Sequence, residues 1–304
     1  MASTDSTSSV AGEDTLPGFL YALTAYLLWG VLPIYIKAVE AIPPLEVVAH
    51  RVLWSLPIAG AILAFRGRIG DVGALLRQPR MIGMAMIPAA FVSVNWLTYV
   101  YAIGSGHALE AALGYYINPL VSIIIAAVLL GERLSGLKLV AVGLAAIAVA
   151  ILAYDAGGLP WISLVLALTW GFYAFFKRRL PLGPNQGFFL EVLLLVGPAF
   201  AYIVYLEATG SGHFLSGGSS RHTALLMLAG VITAVPLMIY ANGAKLLKLS
   251  TIAIMQYIAP TIVFLMAIFL FHEPFDTGKL IAFVFIWAAL IVYTFSMFRA
   301  RQRS

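Results

Sequence analysis

Apolar residues run in long blocks along this chain, separated by short clusters of Gly, Pro and charge. A helix needs about 20 mostly apolar residues to cross the hydrocarbon core of a bilayer. Measured against that length, the chain divides into ten spans, roughly 18–38, 45–65, 82–103, 107–130, 136–154, 158–177, 185–206, 223–244, 250–271 and 277–298. Most connections are short, which predicts antiparallel hairpins between neighbouring spans. The exception is "EATGSGHFLSGGSSRH", a Gly/Ser loop between spans seven and eight. The opening "MASTDSTSSVAGEDTLP" is Ser/Thr-rich and acidic and holds no Lys or Arg. A secretory signal needs a basic start, so residues 1–16 are expected to be a disordered tail.

The pattern is written twice. "GYYINPLVSIIIAAVLLGERLSGLKL" (Gly114 to Leu139) returns as "MQYIAPTIVFLMAIFLFHEPFDTGKL" (Met255 to Leu280), at an offset of 141 residues. Tyr116 falls on Tyr257, Pro119 on Pro260, Glu132 on Glu273 and Lys138 on Lys279. The register holds upstream, with Trp29 on Trp170, Pro43 on Pro184, Pro57 on Pro198 and Tyr99 on Tyr240. Spans one to five therefore match spans six to ten. Five is odd, so the second copy enters from the opposite side of the membrane. The expected fold is an all-α integral membrane protein of ten transmembrane helices in two inverted five-helix repeats, 17–156 and 157–298, with a basic tail at 299–304. Inverted repeats are an architecture of secondary transporters.

Composition changes the solvent and charge changes the orientation. The chain is 62% hydrophobic and only 10% charged, at a mean hydropathy of +0.97, whereas soluble domains carry about 25% charged residues. Lipid must be the solvent for most of it. The net charge of +5 does not point to nucleic acid, because the basic residues are not gathered into one patch. With the N-terminus in the cytoplasm, 14 of the 18 Lys and Arg fall in inner segments, and Lys37, Arg221 and Lys279 fall outside. That bias predicts both termini cytoplasmic, with Glu132 at the inner surface and Glu273 at the outer. Cysteine is absent, which removes disulfides, thiolate metal sites and a Cys nucleophile.

The stretches "VVAHRVLWSL", "NWLTYVYAIGSGHALEAALGYYINPL", "LLGERL", "MQYIAPT" and "FHEPF" resemble the RarD branch of EamA-type proteins, in the drug/metabolite transporter superfamily. The resemblance covers 17–298. It implies ten helices in two inverted repeats, a bacterial inner-membrane location, and export or exchange of small metabolites or drugs.

An ionisable side chain at the bilayer centre costs about 2.5–3.5 kcal/mol on insertion scales, so each asks for a reason. His50, Arg51, Glu110 and Glu191 stand out. Arg51 and Glu110 share an outer-leaflet depth, and are expected to pair as a polar site on the pathway. Arg51 snorkelling to the headgroups is the plainer reading. Tyr115 and Asn118 continue the polar character of span four, and Asn95, Trp96 and Trp54 could line an amphipathic cavity; an interfacial aromatic belt is the ordinary alternative. Glu191 with Gln256 is the expected inner counterpart, against a buried carboxylate acting as interhelical glue. Pro119 and Pro260 are expected to kink matching helices as hinges. Intramembrane ionisable groups are proton-relay candidates, so Glu110, Glu191 and His50 leave proton coupling open beside facilitated diffusion.

His107 and Glu110 have a metal-ligating spacing, but a second such pair is missing, so no metal or other cofactor is expected. No Walker loop or nucleophile elbow is present. The expected function is a secondary transporter of small organic solutes, working by alternating access, rather than an enzyme. A membrane-embedded enzyme using His107 and Glu110, or a structural membrane protein, are the other classes. Expected partners are a small-molecule substrate and the lipid bilayer. One chain with two halves suffices as a monomer, and a homodimer stays open.

Overall fold

The computed structural model describes residues 15–68, 70, 73, 76–131, 134–155, 158–217, 219–247 and 249–301. Among them the regular structure is helical, with no strand. The long helices are α1 (Leu16–Ala38), α2 (Pro44–Phe65), α3 (Pro79–Gly104), α4 (Ala108–Leu130), α5 (Gly136–Asp155), α6 (Trp161–Arg179), α7 (Pro184–Ala208), α8 (Ser220–Gly243) and α11 (Thr277–Arg301). The span expected over 250–271 is two shorter helices, α9 (Leu249–Met255) and α10 (Ile258–Phe269). Eight helices are long and apolar enough to cross a membrane. In α6 the last turn carries Lys177, Arg178 and Arg179, which dilutes its apolar character.

Local chemistry explains the ends. Helices α1, α2, α3 and α7 each place Pro in their first two positions, where its missing N–H forfeits no intrahelical bond. Thr15 and Ser219 cap α1 and α8, their hydroxyls accepting the N–H of Gly18 and of His222, each at 3.2 Å. Gly131, at φ 68°, ends α4 in the left-handed region that glycine adopts freely. The break between α9 and α10 lies four residues before Pro260, whose ring crowds the carbonyl of residue 256 and offers it no N–H.

The two prolines expected to kink matching helices sit in different surroundings. Pro119 sits inside an unbroken α4, while its repeat mate Pro260 follows a break. The difference lies in what holds each helix. Along α4, helix α6 packs so closely that a Cβ on Gly114 would meet the Ser163 carbonyl at 2.8 Å, and one on Gly171 would meet Ile125 at 2.9 Å. That neighbour lies against α4 on both sides of Pro119.

Elements far apart in sequence pack together. Helix α1 lies on α8, α3 on α6, α2 on α7 and α8, α4 on α6 and α10, and α5 on α11. Consecutive helices touch far less, so the short connectors join helices that are not packed hairpins. Helices α5 and α11 cover each other at the margin and leave most of their surface outward, as lipid-facing helices do. The closest seam is α2 against α8. A Cβ on Gly230 would run into the backbone of Trp54, and the Ser55 hydroxyl donates to the Gly230 carbonyl at 3.4 Å.

The Gly/Ser loop between α7 and α8 is tied down. Glu207 accepts the N–H groups of Phe214, Leu215 and Ser216 at 3.2, 3.1 and 2.8 Å. Buried Glu46 of α2 accepts the N–H of His213 at 2.7 Å, and its other oxygen lies 2.8 Å from the His213 Nδ1.

Overpacking at a backbone contact typically costs about 1–3 kcal/mol. Gly230→Ala is expected to lose that much stability. Gly197→Ala in α7, where the added carbon meets nothing within 4 Å, should be neutral or stabilising. Thermal unfolding of the two variants in detergent measures the difference.

Candidate functional site

Polar side chains in a bundle surrounded by lipid must find partners inside it, and several of the buried ones here, Arg51, Asn95, Asn118 and Thr233, line a cavity of about 150 Å³. Its wall takes Tyr26, Trp29, Arg51, Asn95, Trp96, Tyr99, Tyr115 and Asn118 from the first half of the chain, and Trp170, Thr233, Tyr240, Gln256 and Pro260 from the second. The break between α9 and α10 thus opens onto the cavity. One part of the wall is an aromatic cluster: the rings of Tyr26, Trp29 and Tyr240 lie 5.4 to 5.6 Å apart, centre to centre. Elsewhere Asn95 is held by three hydrogen bonds, as a buried amide must be. Its Nδ2 donates to the Leu166 carbonyl at 3.1 Å and to Thr169 Oγ1 at 3.0 Å, and its Oδ1 accepts the Tyr115 hydroxyl at 2.9 Å.

Arg51 is the cation of the cavity. Its Nε donates to Thr233 Oγ1 at 2.9 Å, and Thr233 in turn donates to the Ala229 carbonyl at 2.8 Å. The guanidinium lies over the Trp96 ring, 4.9 Å from its centre, a cation–π contact that favours Arg over Lys. Among the described residues its buried Nη1 finds no hydrogen-bond partner, nor does Asn118 Oδ1.

Arg51, Asn95, Trp96, Tyr115, Asn118, Gln256 and Pro260 are the sequence's candidates that meet here. The others lie elsewhere. Glu110 does not pair with Arg51: it stands half-buried in the first turn of α4, where the helix dipole favours an acid, in electrostatic range of His107, Lys279 and Glu273. Equal depth in the membrane did not put Arg51 and Glu110 on facing sides. Glu191 bonds Lys177, whose Nζ donates to its two oxygens at 2.7 and 2.8 Å, and accepts the Tyr173 hydroxyl at 3.3 Å; Gln256 lies in the cavity wall and Glu191 does not. His50 accepts from the Trp54 Nε1 at 3.2 Å, and Phe214 from the tied-down loop covers both rings, 4.9 and 5.9 Å away. Pro119 lies in α4 outside the cavity wall.

Residues 16–154 match the EamA-like transporter family. "Uncharacterized transporter YojE" of Bacillus subtilis (strain 168) is 38% identical over 297 residues, covering 96% of this chain and 98% of its own length. This chain belongs to the EamA-like transporter family. "Protein RarD" of Streptomyces exfoliatus, 40% identical over 295 residues and covering 97% of this chain and 93% of its own, puts it in the RarD branch of the drug/metabolite transporter superfamily. It is accordingly a multi-pass membrane transporter. A solved crystal structure overlays on 93% of the chain and 98% of its own with a TM-score of 0.59 at 21% identity, which shows a shared fold.

Sequence reasoning missed several residues that matter in this EamA-family chain. Lys177 sits with two other basic residues at the end of α6, and so reads as interfacial, yet its long stem carries the ammonium to buried Glu191. Tyr26 and Thr233 gave no signal, while Trp29, Trp170 and Tyr240 were visible only as marks of the 141-residue register. Breaking a buried ion pair by removing one partner costs about 3–5 kcal/mol. Lys177→Met is expected to show that loss, and Lys177→Met/Glu191→Gln to recover a large part of it, because the remaining group no longer carries a charge. Thermal midpoints in detergent of the single and double variants decide this.

Proposed function

We propose that the chain is a secondary transporter that moves small organic metabolites or drugs across the bacterial inner membrane by alternating access. Its binding site is the central cavity between the two halves, and both termini face the cytoplasm. The single observation that carries this reading is an amphipathic cavity walled by side chains from both halves, with a buried donor and acceptor in its wall that find no partner among the described residues. Small-molecule sites are concave and mostly apolar with a few placed polar groups, and transporters set them where interrupted helices meet at a repeat interface.

The repeat supports the same reading. Under the 141-residue register α1 corresponds to α6 and α3 to α8, so the packing of α1 on α8 has its counterpart in α6 on α3. Likewise α1 on α10 answers α6 on α4. Two related halves packed by related contacts supply two related conformations. One closing contact fits this scheme: Glu273 accepts the N–H groups of Ala108 and Leu109 at 2.6 and 2.9 Å, tying the end of α10 to the start of α4. Its repeat mate Glu132 lies outside the described residues. The break before Pro260 is the place where the second half bends. His107 and Glu110 take no part in a catalytic cluster in this reading, and the chain is a carrier rather than an enzyme.

Purified protein in sealed liposomes, given a panel of labelled metabolites and drugs with and without a pH gradient, should show saturable flux of at least one solute, reduced at least tenfold in Asn95→Ala. Flux that follows the gradient would add proton coupling. Lys138→Cys and Lys279→Cys should react with an impermeant thiol probe from opposite sides of the membrane; labelling from one side alone would sink the inverted arrangement.

A further inference from the structure

Arg51 is a charge for which its cavity holds no counterion. The residue is only 5% exposed, and among the residues lining the cavity there is no Asp or Glu. The titratable groups in electrostatic range of it are the phenols of Tyr35, Tyr99 and Tyr115, which carry no charge at neutral pH. Thr233 satisfies its Nε and Trp96 takes its flat face, but both are neutral. An ionised group in low dielectric without a partner is among the costlier arrangements a protein can keep. The arrangement becomes balanced once an anion enters the cavity.

The remaining chemistry narrows the anion. A buried Nη1 without a partner offers a charge-assisted hydrogen bond to one oxygen. A phosphate monoester would bring a charge of about −1.5 to −2 and three acceptor oxygens, more than a single guanidinium balances. A carboxylate brings one charge. Asn118 Oδ1, also buried and unpartnered, asks for a donor such as a hydroxyl or N–H on the same molecule. The rings of Tyr26, Trp29 and Tyr240, set edge-to-face and tilted against one another, offer an aromatic wall. A zwitterion matches less well, because its ammonium finds no acidic side chain in the wall and the filled cavity keeps its excess positive charge.

We propose that the cavity takes organic monoanions: largely apolar, aromatic molecules whose single carboxylate pairs with Arg51 and neutralises the cavity. This rests on the reading of the same cavity as the binding site of a carrier.

The test compares isosteric probes on the purified full-length protein in detergent, by calorimetry or ligand-induced thermal shift. Indole-3-acetate and 3-phenylpropionate are matched with their neutral carboxamides and with the zwitterions tryptophan and phenylalanine. Both carboxylates should bind at least tenfold more tightly than the amides and the zwitterions. Arg51→Met should lose that preference, and Arg51→Lys should keep it at reduced affinity. Where Arg51→Met does not fold, Asn118→Asp serves, since it adds a fixed negative charge to the cavity wall and should weaken carboxylate binding at least tenfold. The proposal is overturned by amides or zwitterions that bind as tightly as the carboxylates, by no carboxylate binding at all, or by Asn118→Asp binding them as the unaltered protein does. The carrier reading is tested apart from it. Carboxylates that bind in detergent but do not cross in liposomes overturn the carrier alone, while flux of amides or zwitterions with carboxylates excluded overturns the monoanion alone.

Discussion

Lipid offers a peptide group nothing to bond with, so every N–H and C=O that meets it must be satisfied within its own helix. That constraint accounts for the continuous helices α1 to α8 and for their apolar outward faces. It also decides where irregular backbone can sit. The break between α9 and α10 leaves carbonyls without helical donors, and such a break is tolerated only where it is walled off by protein or opens on a polar cavity. Gln256 and Pro260 stand in the cavity wall, so the weak point of the ninth span and the polar interior occupy the same place. Side-chain chemistry follows the same rule. Asn95, Thr169 and Tyr115 hydrogen-bond one another, and of the buried atoms left over, those of Arg51 and Asn118 belong to the cavity wall.

Two strategies for burying a charge stand side by side in this bundle. Glu191 meets Lys177 and Tyr173 and is settled, a fixed strut between α6 and α7. Arg51 is braced by Thr233 and Trp96, which hold its position without cancelling its charge. The first kind of site stiffens a structure; the second keeps a position in readiness for something that is not part of the chain. The contrast separates glue from binding surface better than burial alone, since both groups are almost completely hidden.

Much of this was legible in the sequence, and the boundary between what was and was not is physical. Hydrophobic block length is a one-dimensional property, and so the helix ends fall within a few residues of the apolar runs. The 141-residue register is equally linear. Azimuth is different. Arg51 and Glu110 share a depth, yet pairing depends on which way two helices face after packing, and α2 turns Arg51 toward α8 and α3 while α4 presents Glu110 at its mouth. Lys177 was hidden for the opposite reason: a basic cluster at a helix end reads as headgroup contact, and only the approach of α7 reveals that one of the three reaches inward. Glu46 carried no signal in the sequence, because its partner is a backbone N–H of the loop at His213, 167 residues away.

The α2–α8 seam carries a consequence of its own. Where Gly230 meets Trp54, backbone rests on backbone with no side chain between them, and a joint of that kind has no soft layer along which to slide. Helices α2 and α8 are therefore locked at this point, and any side chain larger than hydrogen at residue 230 has to push the two helices apart.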